Sequence, residues 1–237
     1  MYFQHSPQIW EQFPQLSAGV LILSGIHPNV TVELEPYFQQ ARDRLQQYGA
    51  EAKMPSISAW RRTYRQMGFK PTKYRSAAEA LLRRFKKEDD LPRLHPLVDL
   101  CNAISLAYAL PVAVYDLAQV DSFLEVRHAT GTEIHTAFNG TTEHPVPNEV
   151  IFADASNHAH ARRWTFRQSR QSTIRPESCQ ILIVSEGLHE NAATDIESLI
   201  NSIATVVSEV WSPPISQAML TVESPRAEVI YGKGSVK

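Results

Sequence analysis

Four groups of residues in this 237-residue chain have side chains and spacing suited to chemistry. Asn102 interrupts the apolar run PLVDLCNAISLAY, where an amide costs free energy unless its donors and acceptor are satisfied. It either bonds a neighbouring backbone group or meets a ligand at a sheet–helix cleft. The segment RRWTFRQ, Arg162 to Gln168, sets three guanidiniums and an amide among aromatic rings. Read as a strand, it puts Arg163, Thr165 and Arg167 on one face and Arg162, Trp164 and Phe166 on the other. Arginines facing a cavity would grip a carboxylate or phosphate through paired donors, with Gln168 orienting water or an amide. The plainer alternative is that they pair with surface acids. Glu186 follows the apolar run ILIVS, either as a carboxylate for a ligand's amino group or as a solvated strand end. His158-Ala-His160 puts two imidazoles on one side of a strand, a beginning for a metal site. No third or fourth ligand stands nearby, so neither metal nor cofactor is expected.

Charge is distributed unevenly. Trp60 to Arg93 holds 11 of the 23 Lys and Arg residues against four acids, and Arg162 to Arg175 adds five arginines and no acid. Because the whole chain carries only -2, the basic residues are concentrated for an anionic partner or spread over a solvated helix face. Arg61, Arg62, Arg75, Arg83, Arg84, Lys86 and Lys87 are the candidate RNA contacts, since nearby Tyr64 and Tyr74 offer rings for unpaired bases. The sequence has no P-loop, GxGxxG, GxSxG or HExxH, which removes the usual support for several nucleotide-dependent and hydrolytic classes. There is no bilayer-length apolar run, no signal-peptide pattern and no CxxC, and the expectation is a cytoplasmic protein with reduced cysteines.

The elements that must position these residues follow from periodicity. Leu16 to Ile26 reads as a buried strand, and a helix starts near Pro36 and ends at Gly49. Ser76 with Glu79 forms a capping box ahead of the Leu81, Leu82 and Phe85 stripe. A further helix runs from His95-Pro96 to about Ala109, burying Leu97, Leu100, Cys101, Ile104 and Tyr108. Short β-rich runs then follow: VAVYDL, FLEVRHA, TEIHTAF, EVIFA, ARRWTF and CQILIVS, with a turn at Asp154 to Asn157. An amphipathic helix from Ile196 to Val210 and strands in AMLTVES and AEVIYG close the chain. The expected fold class is α+β: an antiparallel sheet or partly closed barrel flanked by helices, in one compact domain over 1–237.

PSISAWRRTYRQMGFKPTKYRSAAEALLRRFKKEDDLPRLHPLVDLCNAISLAYALPVAVYD, followed by NEVIFADASNHAHARRWTFRQS, resembles the B3/B4 domain of the phenylalanyl-tRNA synthetase β subunit in freestanding form. The resemblance covers about residues 16–188. It implies hydrolysis of the ester of mischarged aminoacyl-tRNA by a positioned water, without a covalent nucleophile. It also implies that Asn102 borders the pocket, that Ala113 in Pro111 to Asp116 stands where the family has histidine, and that Arg162 to Gln168 replaces a glycine-rich wall. Glu186 lies near the family's pocket glutamate. On this reading Asn102, Arg167, Gln168 and Glu186 serve catalysis, Arg163, Trp164 and Ala113 bind substrate, and tRNA is the partner, with neither DNA nor membrane. The alternatives are a non-catalytic tRNA- or RNA-binding module and a small amino-acid or carboxylate-binding protein.

Overall fold

The computed structural model describes residues 1–229. Its helices are α1 (Pro7–Gln12), α2 (Glu35–Tyr48), α3 (Pro55–Gln66), α4 (Ala77–Glu88), α5 (Pro96–Tyr108) and α6 (Ala192–Val210). Its strands are β1 (Tyr2–His5), β2 (Ser17–Leu23), β3 (Val112–Asp116), β4 (Phe123–His128), β5 (His135–Thr136), β6 (Thr142–Glu143), β7 (Val150–Ala153), β8 (Ala159–Arg162), β9 (Arg167–Gln168), β10 (Ile181–Gly187), β11 (Ser216–Leu220) and β12 (Arg226–Glu228). Among the described residues they form one sheet in the order β12-β1-β4-β7-β8-β9 and another in the order β11-β2-β10-β3, with a small β5-β6 ribbon. The pairs are antiparallel except β1 with β4. The fold is therefore α+β with open sheets.

Period-two alternation makes the second sheet the middle layer. Ala18, Val20 and Ile22 of β2 and Leu182 and Val184 of β10 face the other sheet, where they meet Phe3, Leu124, Val126 and Phe152. Leu21 and Leu23, with Ile181 and Ile183, face the opposite way into a core built with α2, α4, α5 and α6. A strand buried on both faces reads as a continuous apolar run, which is why β2 was visible in LSAGVLILSGI. Glu186 continues the Leu182–Val184 side of β10 and thus enters the layer between the sheets.

The helix boundaries follow local chemistry. Pro36 sits in the first turn of α2 and Gly49 ends it at φ 72°. Ser76 Oγ accepts from the Glu79 N–H at 3.3 Å, one half of a capping box, but the Glu79 carboxylate turns to Arg61 instead of closing the box. On α5 the expected core residues are buried, with Tyr108 only partly so. β12 takes Arg226–Glu228, and the part of AEVIYG from residue 230 onward lies outside the described residues.

α6 packs directly on the middle sheet, and β2 makes room for it at Gly19. A Cβ there would come within 2.6 Å of Ile196 Cγ2 and Ile200 Cγ1, atoms that stiff β-branched side chains cannot readily withdraw. Gly19→Ala is therefore expected to cost roughly 1–3 kcal/mol through overpacking. Urea unfolding measures this, and an unchanged midpoint would contradict the close approach.

Candidate functional site

Glu186 is 2% exposed. Its Oε1 lies 2.6 Å from His5 Nε2 and accepts from Trp164 Nε1 at 2.9 Å, while Oε2 has no protein partner among the described residues. A carboxylate taken out of water needs donors, and these come from β1 and from the segment after β8. Neither side chain neighbours Glu186 in sequence. The His5 ring is itself held edge-on against Phe3 and tilted against Trp10.

The segment carrying Trp164 is a correction to the strand expected over Arg162 to Gln168. β8 ends at Arg162, residues 163–166 form a turn, and only Arg167 and Gln168 resume strand pairing, opposite Arg162 and Ala161. Arg163 and Trp164 both adopt left-handed backbone, φ 47° and 59°, which breaks the period-two alternation. Such residues cost of order 1–3 kcal/mol each unless their surroundings compensate. Here the buried carboxylate of Glu149 accepts from the Arg163 N–H at 3.0 Å and Tyr64 Oη donates to the Arg163 carbonyl at 3.1 Å. Trp164 N–H donates to Val150 O at 2.7 Å, and the first N–H of α4 donates to Thr165 O at 2.8 Å. The indole is thereby turned inward, edge-on to Trp60 and Phe13.

The arginines separate accordingly. Arg162 is buried and clamped on Glu149 by Nε and Nη2, both at 2.9 Å, with Nη1 on Glu143 at 2.7 Å. Burial opposes its charge, but the two carboxylates more than offset this and raise its pKa. Arg163 stacks over Tyr74, 4.6 Å from the ring centroid, with Phe69 and Phe166 alongside. It does not share a face with Arg167. Arg167 is partly exposed and meets Glu143 at 3.2 Å.

A small pocket of about 60 Å³ opens between the edge of the middle sheet and this hairpin. Ala113 and Glu186 line one side, Phe152 and Trp164 another, and Arg167 and Gln168 contribute to the wall. The structure thus brings together five of the expected site residues: Ala113, Trp164, Arg167, Gln168 and Glu186. Arg163 is not among the lining residues, because its guanidinium is committed to the aromatic cluster. Asn102 belongs to a different cleft, between α5 and β3. Val114 faces that cleft while Ala113 faces the first pocket, as strand alternation requires, and Val112 at the start of β3 borders both. Gln168 lines both, crossing the sheet edge to donate from Nε2 to Val114 O at 2.8 Å.

The expected RNA contacts are partly occupied by internal ion pairs. Arg61 and Arg75 converge on buried Glu79 at 2.6 and 3.5 Å, and desolvation raises the Glu79 pKa against their attraction. Arg83 pairs with Glu51 and Arg84 with Glu88. Lys86 donates to the Gly49 carbonyl, where cations suit the end of α2, and Arg62 to Ser58 Oγ. Among the described residues Lys87 has no partner. Exposed Lys70 and Lys73 likewise lack a carboxylate there, and Lys73 lies 5.3 Å from the centroid of Tyr74, which touches Phe166 at the pocket wall. Around the histidine pair, His160 Nε2 is 3.0 Å and His158 Nδ1 3.6 Å from Asp154 Oδ2, and among the described residues no three ligand-type side chains gather as a metal site.

His5 and Glu149 are not identified from the sequence, and Tyr64, expected as a ring for unpaired bases, is instead buried and bonded to the Arg163 carbonyl. His5 lies in a short YFQH strand whose alternation spans only four residues, and Glu149 lies in a segment with no periodicity of its own, just before β7. Among the described residues no helix is long and apolar enough to cross a membrane.

Comparison with solved structures finds an N-terminal fragment of the phenylalanyl-tRNA synthetase beta-subunit from Pyrococcus horikoshii at TM-score 0.46 and 7% identity, covering 87% of this chain. The chain spans 48% of that fragment's length. No curated protein matches. The B3/4 domain family model matches residues 59–208, a span containing α4, α5, both cavities' shared wall and Glu186, and the chain belongs to the B3/4 domain family.

Proposed function

We propose that this chain is a trans-acting editing hydrolase, acting as a single domain, that removes a wrongly attached amino acid from tRNA. The observation that carries this reading is the half-free carboxylate of Glu186 in the wall of a largely apolar pocket. A low-dielectric pocket strengthens the interaction of that carboxylate with a cationic amino group or with the proton of a polarised water. The amino acid of an aminoacyl ester supplies an apolar body and an ammonium together. Trp164, Phe152 and Ala113 would contact the body, and the free Oε2 is available to the amine or to the attacking water.

In the reaction, the water oxygen forms a bond to the ester carbonyl carbon, the bond from that carbon to the ribose oxygen breaks, and a proton passes from water to the departing hydroxyl. Arg167 at the wall offers a cation to the developing oxyanion, and Gln168 positions the ester. Asn102, across β3, takes no part in the chemistry. The tRNA backbone follows Lys70 and Lys73 rather than the arginines already spent on Glu79, Glu51 and Glu88. Lys73 reaches the pocket wall through Tyr74 and Phe166 and Lys70 lies in the same turn, whereas Lys86 and Lys87 lie near the other end of α4, about 14 Å from its start at 1.5 Å per residue.

A deacylation screen across mischarged tRNAs tests the activity. Glu186→Gln keeps an acceptor for His5 and Trp164 but removes the charge, and is expected to lower kcat/KM by roughly 100-fold or more. Release of no amino acid from any member of the panel would end the hydrolytic reading, and a wild-type rate in Glu186→Gln would end the role of that carboxylate.

Salt titration of tRNA binding tests the backbone path. Lys70→Glu with Lys73→Glu should flatten the dependence of log K on log salt by about 0.9 per lost phosphate contact, whereas Arg83→Glu with Arg84→Glu should change the slope little. The reverse order would move the tRNA to the far end of α4.

A further inference from the structure

The cleft between α5 and β3 has a volume of about 370 Å³ and shares Val112 and Gln168 with the Glu186 pocket. Its walls carry an unusual set of uncommitted groups. Phe138 lines it with 59% of its surface exposed, a ring that serves no core. Asn102, half-buried on α5, makes no side-chain hydrogen bond to the protein among the described residues, so both ends of its carboxamide are open. Gln168 spends its N–H donors on Val114 O and Ser172 O and leaves its carbonyl oxygen unengaged. Arg170, exposed and with no carboxylate partner among the described residues, lies beside the turn that carries Phe138: its Nη1 is 3.9 Å from where a Cβ on Gly140 would stand.

A solvent-facing ring, a carboxamide with donor and acceptor free, and an unpaired guanidinium are the groups that hold an unstacked nucleobase and its phosphate. We propose that this cleft is a nucleobase subsite that seats the 3′-terminal adenosine of the RNA whose aminoacyl ester enters the Glu186 pocket. The inference rests on the hydrolytic reading above for its choice of RNA, and the adjacency of the two cavities connects them. The base stacks on Phe138. The Asn102 carboxamide accepts from the adenine 6-amino group and donates to N7. Only the edge strand β3 separates the cavities, and strands are spaced about 4.8 Å apart, so the ribose bridges from one to the other. Gln168, common to both, contacts the sugar side, and Arg170 meets the 5′-phosphate.

Titration of the full chain with AMP, followed by NMR or calorimetry, tests the subsite without needing an ester. AMP is expected to bind, and Asn102→Ala and Phe138→Ala are each expected to weaken it about tenfold. IMP, which presents an acceptor where AMP has the amino group, should bind about tenfold more weakly than AMP. Both substitutions should be tolerated by the fold, since Phe138 is exposed and alanine is the better helix former at 102; a thermal melt checks this. Absence of AMP binding at millimolar concentration, or binding indifferent to both substitutions and to the base, overturns the proposal. AMP binding in a chain that hydrolyses no aminoacyl-tRNA supports the subsite while overturning the hydrolytic reading; hydrolysis without AMP binding does the opposite.

Discussion

A carboxylate buried between two sheets is the constraint around which this molecule is arranged. Glu186 occupies a position on β10 where Leu182 and Val184 set an apolar precedent, and it is sustained there by two hydrogen-bonding partners from remote elements. One is His5 of the N-terminal strand, and the other is the Trp164 indole. To bring that indole inward the chain accepts two consecutive left-handed residues, and the strain is offset by Glu149, Tyr64 and the start of α4. The hairpin, the aromatic layer and the edge of the helical layer are thus tied to one charged side chain. What is left over is one unengaged oxygen in the pocket wall.

The same economy governs the cations. Arg61 and Arg75 neutralise a buried glutamate that also starts α4, and Arg162 is locked to Glu149 and Glu143. Removing one member of such a buried pair leaves an uncompensated charge, so these residues are architectural whatever else they touch. A cluster of positive charge in the sequence therefore overstates the positive charge available at the surface. Among the described residues, Lys70, Lys73, Lys87 and Arg170 are exposed cations that no carboxylate engages.

Much of the scaffold was legible because it rests on local rules. Pro36 and Gly49 bounded α2, Ser76 capped α4, and the apolar positions of α5 and α6 kept helical spacing. The middle sheet announced itself through β2 and β10. α3 escaped notice because Arg61, Arg62 and Arg65 interrupt the helical spacing of Ile57, Trp60 and Tyr64, which face two different cores. The turn at 163–166 escaped for a different reason: nothing in RRWTFRQ resembles the glycine or asparagine that left-handed backbone usually demands, and only distant partners make it affordable. Of the site, the residue types were found but their grouping was not. Asn102 and Glu186 face different cavities because consecutive residues of β3 point in opposite directions, a division that becomes visible only once β3 is known to be a sheet edge.

The N-terminal strand gives this arrangement a temporal dimension. β1 lies between β4 and β12, and Tyr2 pairs with Phe123 on one side and Glu228 on the other. Neither neighbour is local, so ordering β1 requires closing two long loops, a cost that hairpins such as β7-β8 do not meet. In chain order β1 precedes both of its neighbours, so its pairing with β12 waits for a strand more than 200 residues further on. The surroundings of Glu186 are thus non-local in the same sense: His5, the turn at 163–166 and β10 come from three distant parts of the chain, and the pocket exists only once all three are docked.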